Sequence, residues 1–152
     1  MTLEARLRRL EDLEAIRDLI ARYGPMADAG DGEGLASLFT PDGRYTIAAF
    51  AEAQGRKEIS ALLDTPSHRQ LMQDGCAHLL GPVTIKLNGD HATATGHSVV
   101  FHHKGSEFVV FRVAANRWYL QRAKNGQWAV ARRENALLDG SEAARQLVQP
   151  AS

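Results

Sequence analysis

Cysteine is nearly absent from this chain. Cys76 stands alone among 152 residues, which excludes an intrachain disulfide framework and an all-cysteine zinc site, and makes a reducing cytoplasm the expected location. An excess of charge of one sign is missing too, because 18 lysines and arginines balance 18 aspartates and glutamates. A neutral balance supplies neither a phosphate-tracking stripe nor a polybasic contact, so no nucleic acid and no membrane are expected as partners. No apolar run approaches the roughly 20 residues that cross a bilayer, and the charged, heptad-like start does not read as a signal peptide. Aromatics are sparse at 7 %, yet 44 % apolar against 24 % charged residues still places the chain among globular proteins. The length suits a single domain over residues 1–152, large enough to build one core without staples.

The hydrophobic pattern divides the chain into a helical first half and a strand-rich second half. Leu3, Leu7, Leu10, Leu13, Ile16, Ile20 and Tyr23 recur at three- and four-residue steps and define a long amphipathic helix. Gly24-Pro25 predicts a kink or break there, since proline disfavours helical geometry at the residue before it. Asp31 is placed to cap a short second helix bearing Leu35, Leu38 and Phe39, and Thr40-Pro41-Asp42-Gly43 turns the chain. A strand through Tyr45 and Ile47 and a third helix over 56–64 follow. Residues 65–75 read as an irregular, mobile rim or lid. From there on the chain alternates with period two. Strands around Ile85, over 92–103, over 107–122 and over 127–138 are separated by the turns Asn88-Gly89-Asp90, Lys104-Gly105-Ser106 and Lys124-Asn125-Gly126, and residues 141–148 suit a short final helix. Helices first and a meander last predict an α+β domain, with a long twisted sheet curling around the helices and a pocket between them.

Several ionisable groups are placed to face that pocket. Period two puts Ala94, Gly96, Ser98, Val100 and His102 on the helix-covered face of one strand, with His97, Phe101 and His103 outward. Arg112, Ala114 and Asn116 share a face of the next strand, and the same alternation sends Val109, Phe111 and Tyr119 outward. Arg112 and Arg122 read first as surface or ion-pair residues, with Arg112 also a candidate for substrate binding beside Asn116. Asp28, beyond the expected kink, and His78, at the start of a strand, would form a useful pair: a carboxylate fixes the imidazole tautomer and raises its basicity. Such a dyad can take a proton from a carbon next to a carbonyl, and a tyrosine hydroxyl can stabilise the oxyanion that forms. Spacing alone does not bring these groups together, and each has a plain alternative: Asp28 as a helix terminator, His78 as a structural histidine, Tyr23 and Tyr45 as core residues. A metal reading through His102, His103 and Glu107 fails on geometry, because adjacent histidines point to opposite sides of a strand; two histidines with Asp28 would be the remaining metal arrangement.

Three stretches carry a family resemblance: "RYGPMADAGDGEGLASLFTPDGRYTI", "CAHLLGP" and "NGQWAVARRE". In these the chain resembles the SnoaL-like branch of the nuclear transport factor 2-like superfamily, over nearly its whole length. The resemblance is closest to the scytalone dehydratase, bile acid dehydratase and hexachlorocyclohexane dehydrochlorinase members. It implies a cone-shaped α+β barrel of the cystatin-like kind, a curled mixed or antiparallel sheet wrapped around N-terminal helices. It implies Asp28 and His78 as a catalytic pair, with His102 as a further pocket histidine, Asn116 as a retained polar residue, and Tyr23 or Tyr45 as the carbonyl-polarising phenol. Ile47 stands where a steroid isomerase would need an acid, which weakens that activity. The expectation is a cofactor-free and metal-free lyase, dehydratase-like, acting on a small apolar cyclic ligand, in a homodimer or homotrimer; the alternatives are a related isomerase or a non-catalytic ligand-binding or oligomerisation module.

Overall fold

The structure, a computed structural model, describes residues 1–152. Helix α1 spans Leu3–Ala29, α2 Gly32–Ser37, strand β1 Phe39–Ile47, β2 Ala51–Gln54 and α3 Gly55–Ala61, continued by a 3₁₀ turn over Leu62–Asp64. Then come α4 (Pro66–Asp74), β3 (Cys76–Leu80), β4 (Thr84–Asn88), β5 (His91–Lys104), β6 (Glu107–Arg122), β7 (Trp128–Leu137) and α5 (Glu142–Val148). The strands form one curled mixed sheet in the order β2-β1-β7-β6-β5-β3, with β4 also paired to β5. Only β1 and β7 run parallel; the remaining pairs are antiparallel. This is the expected α+β barrel-like cone, unclosed between β2 and β3.

Helix α1 fills the cone. Its inner face, Ile16, Leu19, Ile20, Tyr23 and Ala27, packs in one cluster with Trp118, Leu120 and Val130 of the sheet. Each large side chain removed from water there contributes about 1.5–3 kcal/mol. The apolar stripe nearer the N-terminus is not covered: Leu3, Leu7 and Leu10 are 74 %, 55 % and 63 % exposed. No helix is long and apolar enough to cross a membrane.

Two sequence expectations are corrected. The helix does not break at Gly24-Pro25. Pro25 lies inside α1, which runs on to a left-handed cap at Gly30 (φ 71°), where glycine carries no Cβ penalty. Burying Tyr23, Gly24 and Ala27 against the sheet offsets the roughly 3 kcal/mol that an internal proline costs. Residues 65–75 are not irregular either. Thr65 accepts from the His68 N–H, Pro66 occupies the first turn, and α4 buries His68 and Leu71. Proline at a helix start loses no hydrogen bond that would otherwise form.

Bulges set the phase of the strands. On β6, Val100 pairs with Arg112 but Phe101 pairs with Val110, so Phe111 is the extra residue. On β7, Tyr119 pairs with Arg132 but Leu120 with Val130, so Ala131 is extra. Past each extra residue the inward and outward sets exchange faces.

Candidate active site

The last turn of α1 carries Asp28 to the start of β3. Gly24, one turn earlier on the same face, makes that approach close: a Cβ on it would stand 2.1 Å from the backbone oxygen of His78. The helix therefore lies directly on the strand, and the Asp28 carboxylate reaches both the backbone and the ring of His78. Its oxygens accept from the His78 N–H at 3.0 and 3.1 Å, and Oδ1 lies 2.7 Å from His78 Nδ1. A carboxylate can only accept, so Nδ1 carries the hydrogen and Nε2 keeps its lone pair. Burial lowers the His78 pKa from its ordinary value, against the upward pull of Asp28, while His68 and Arg133 nearby also lower it. The imidazole is thereby held neutral.

His78 lines a cavity of about 330 Å³ between α1, α4 and the sheet. Leu63, Leu71, Leu80 and Val100 supply much of its apolar wall. Tyr23 and Tyr45 line it side by side, with ring planes 6° apart and centroids at 6.3 Å. Burial pushes the Tyr45 phenol above its usual range, so it stays a neutral donor.

Of the remaining residues singled out from sequence, Arg112 lines the cavity, whereas His102 and Asn116 do not. His102 Nε2 lies 2.8 Å from Asp74 Oδ2, closing a contact between β5 and the end of α4. Asn116 is buried behind the wall, where it donates to Ser98 Oγ at 2.7 Å and its Oδ1 accepts from Arg133 and Asn135. Phe111, expected outward, lines the cavity instead, because it is the bulged residue of β6.

Two titratable cavity residues escaped the sequence reading. His68 sits on α4 with its ring 5.4 Å from that of His78. Its Nε2 lies 2.9 Å from the Ala27 carbonyl oxygen, which fixes Nε2 as the protonated nitrogen. A Thr-Pro helix start followed by apolar residues three and four positions beyond His68 was the signal that could have found it. Arg133 on β7 is 3 % exposed and lies against the rings of Tyr23, Tyr45 and Trp118 at 4.2, 4.6 and 4.2 Å.

Asp28, Cys76 and His78 bring potential metal-binding atoms within 4.8 Å of one another. The Asp28 oxygens already accept from His78, and Cys76 Sγ lies 3.6 Å from Oδ1. Burial, reinforced by the carboxylate, pushes the Cys76 thiol up to about 11. A neutral thiol donating to an occupied carboxylate is a hydrogen-bonded cluster and a poor set of metal ligands.

Comparison with known proteins identifies the family and the fold. The SnoaL-like domain model matches residues 8–134. An NTF2-like protein with a cystatin-like fold from Novosphingobium aromaticivorans is 58 % identical, with a TM-score of 0.93 over 97 % of this chain and 95 % of that one. A point variant of Rv3472, a function-unknown protein from Mycobacterium tuberculosis, is 26 % identical with a TM-score of 0.74, over 83 % of this chain and 76 % of that one. Another Novosphingobium aromaticivorans protein, named provisionally as a scytalone dehydratase, is 22 % identical with a TM-score of 0.70, over 84 % of each chain. A search of curated proteins found no match. The chain belongs to the SnoaL-like domain family and has the NTF2-like, cystatin-like fold.

Proposed function

We propose that this protein is a cofactor-free lyase, a dehydratase, acting on a small cyclic compound that carries a carbonyl and a hydroxyl group. The observation that carries the reading is the 2.7 Å contact of Asp28 with His78 Nδ1, beside a largely apolar cavity that His78 lines. His78 Nε2 takes the proton from the carbon next to the carbonyl. Tyr23 and Tyr45 face the oxygen on which negative charge develops, and the Arg133 guanidinium behind their rings favours that charge. The electron pair of the broken C–H bond forms the new double bond as the hydroxyl departs, and the imidazolium returns its proton to that hydroxyl to make water. His68, beside His78, is placed to orient the departing group. His102 and Asn116, which the resemblance offered as pocket residues, do not line the cavity and have no part in this step. The name of the dehydratase-like neighbour agrees in reaction class.

The test is a panel of cyclic β-hydroxy ketones, with water loss followed by mass spectrometry. His78→Ala is expected to slow turnover by about 10²- to 10⁴-fold with the fold intact; a folded variant within tenfold of wild type would remove His78 as the base.

The same proposal includes self-association. Leu3, Leu7 and Leu10 on α1 and Phe108, Val110 and Val113 on the sheet's outer face are exposed, and uncovered apolar area of this kind marks a contact surface. Light scattering is expected to give a mass of two or three chains; a monomer at micromolar concentration refutes it.

A further inference from the structure

We infer that the cavity takes a ligand bearing one negative charge on oxygen, a carboxylate or a comparably acidic enol, held at the end of the cavity where Arg112 and Arg133 lie. Both arginines line the cavity, and neither is ion-paired: every salt bridge of the structure is made by other residues. Arg133 directs Nε and Nη2 at one neutral acceptor, Asn116 Oδ1, at 3.0 and 2.7 Å. Its Nη1 is buried and has no hydrogen-bond partner. Arg112 repeats the arrangement, with Nε and Nη2 on Asn135 Oδ1 at 3.2 and 2.7 Å. Asn135 in turn donates to Asn116 Oδ1 at 2.8 Å. The two amides thus orient the two guanidiniums without neutralising either.

A buried cation without a counter-charge is costly, and aromatic faces return only part of that cost. No carboxylate lines the cavity, and Asp28 is committed to His78, whose ring is neutral. The wall is therefore left with an excess positive charge, and a single anionic oxygen group on the ligand balances it. The rest of the ligand is apolar, because thirteen of the twenty-one lining residues are hydrophobic. A cyclic acid of one or two rings meets both requirements. This deepens the proposed function by naming the class of its substrate, and it rests on that reading only for the identity of the cavity as the binding site, not for His78 as base.

Isothermal titration of the full chain with benzoate, 1-naphthoate and 2-naphthoate, each against its neutral carboxamide, tests it without turnover. At least one acid is expected to bind about tenfold or more tightly than its amide, the worth of a charge-assisted hydrogen bond. Arg112→Gln and Arg133→Met are each expected to reduce that preference severalfold, with Arg112→Gln sufficient should Arg133→Met not fold. Equal binding of acid and amide, a preference that survives Arg112→Gln undiminished, or no binding by any of the three acids overturns the inference. His78→Ala separates the two ideas. Loss of turnover in that variant with no acid preference in the wild type removes the inference and leaves the reaction; an acid preference with normal turnover in His78→Ala does the reverse.

Discussion

Arg122 and Arg133 lie on neighbouring strands of one sheet, and both stack on aromatic rings, yet they are treated in opposite ways. Arg122 closes the cone near the middle of α1. Its Nη1 and Nη2 lie 2.9 and 2.8 Å from the two Asp12 oxygens and its Nε 2.9 Å from Asp90 Oδ1, while Trp128 Nε1 donates to the same Asp12 at 3.0 Å. Hydrogen bonding to Asp12 first, and to Asp90 next, raises the Arg122 pKa further. Arg133 has neutral amide oxygen, three ring faces and an empty-handed Nη1. A guanidinium satisfied by two carboxylates is a brace. One satisfied by none keeps its charge available to whatever enters beside it, and the difference separates the structural end of this molecule from the chemical end.

The comparison breaks most readily through stability. Asp12→Ala leaves Arg122 and the Trp128 indole without their shared acceptor at a partly buried position, and is expected to cost about 1–3 kcal/mol in urea denaturation. Arg133→Met keeps most of the volume and removes an unpaired buried charge. It is expected to fall within about 1 kcal/mol of wild type, because apolar replacement of a buried charge is often neutral or stabilising. A loss for Arg133→Met as large as that for Asp12→Ala would make Arg133 a second brace and erase the distinction.

At the brace end the sequence offered Arg122 as a surface or ion-pair residue without its partners Asp12 and Asp90, and at the chemical end it missed Arg133 and Asn135. The reason is strand phase. Trp128 and Val130 alternate inward as period two requires, and simple continuation would put Arg132 inside and Arg133 outside. The extra residue Ala131 reverses this, so Arg133 and Asn135 turn into the cone. Phe111 on β6 was lost in the same way. A bulge has no period of its own, and no glycine marks either site. The turns were legible because Asn-Gly and Lys-Gly pairs carry their own backbone preference. Asp28 and His78 were legible only through the resemblance, since fifty positions separate them. Their contact depends on Gly24 letting α1 lie on β3, a three-dimensional fact that the Gly24-Pro25 pair disguised as a helix break. His68 went unseen because a polar composition over 65–75 masked a capped helix.

Acid sharpens the comparison with a smaller effect, because each end has one group whose native pKa lies below its ordinary value. For His78 the ordinary value is 6.5, and burial lowers it. Below pH 6.5 the unfolded chain therefore takes up a proton at this position before the native one does, and stability falls as pH falls until the native imidazole protonates as well. For Asp12 the ordinary value is 3.8, and the hydrogen bond from Arg122 is the main cause of its lowering. Its contribution is intact above 3.8 and is lost as pH drops through that value toward the native pKa. Urea unfolding at a series of pH values is thus expected to show two separate acid losses. His78→Gln is expected to flatten the one that begins near pH 6.5, and Asp12→Asn to reduce the one that begins near pH 3.8, to which Asp74 and Asp139 also contribute. A profile of His78→Gln that keeps the first loss unchanged would show that the imidazole is not held neutral, and with it the base of the proposed reaction would have the wrong protonation state.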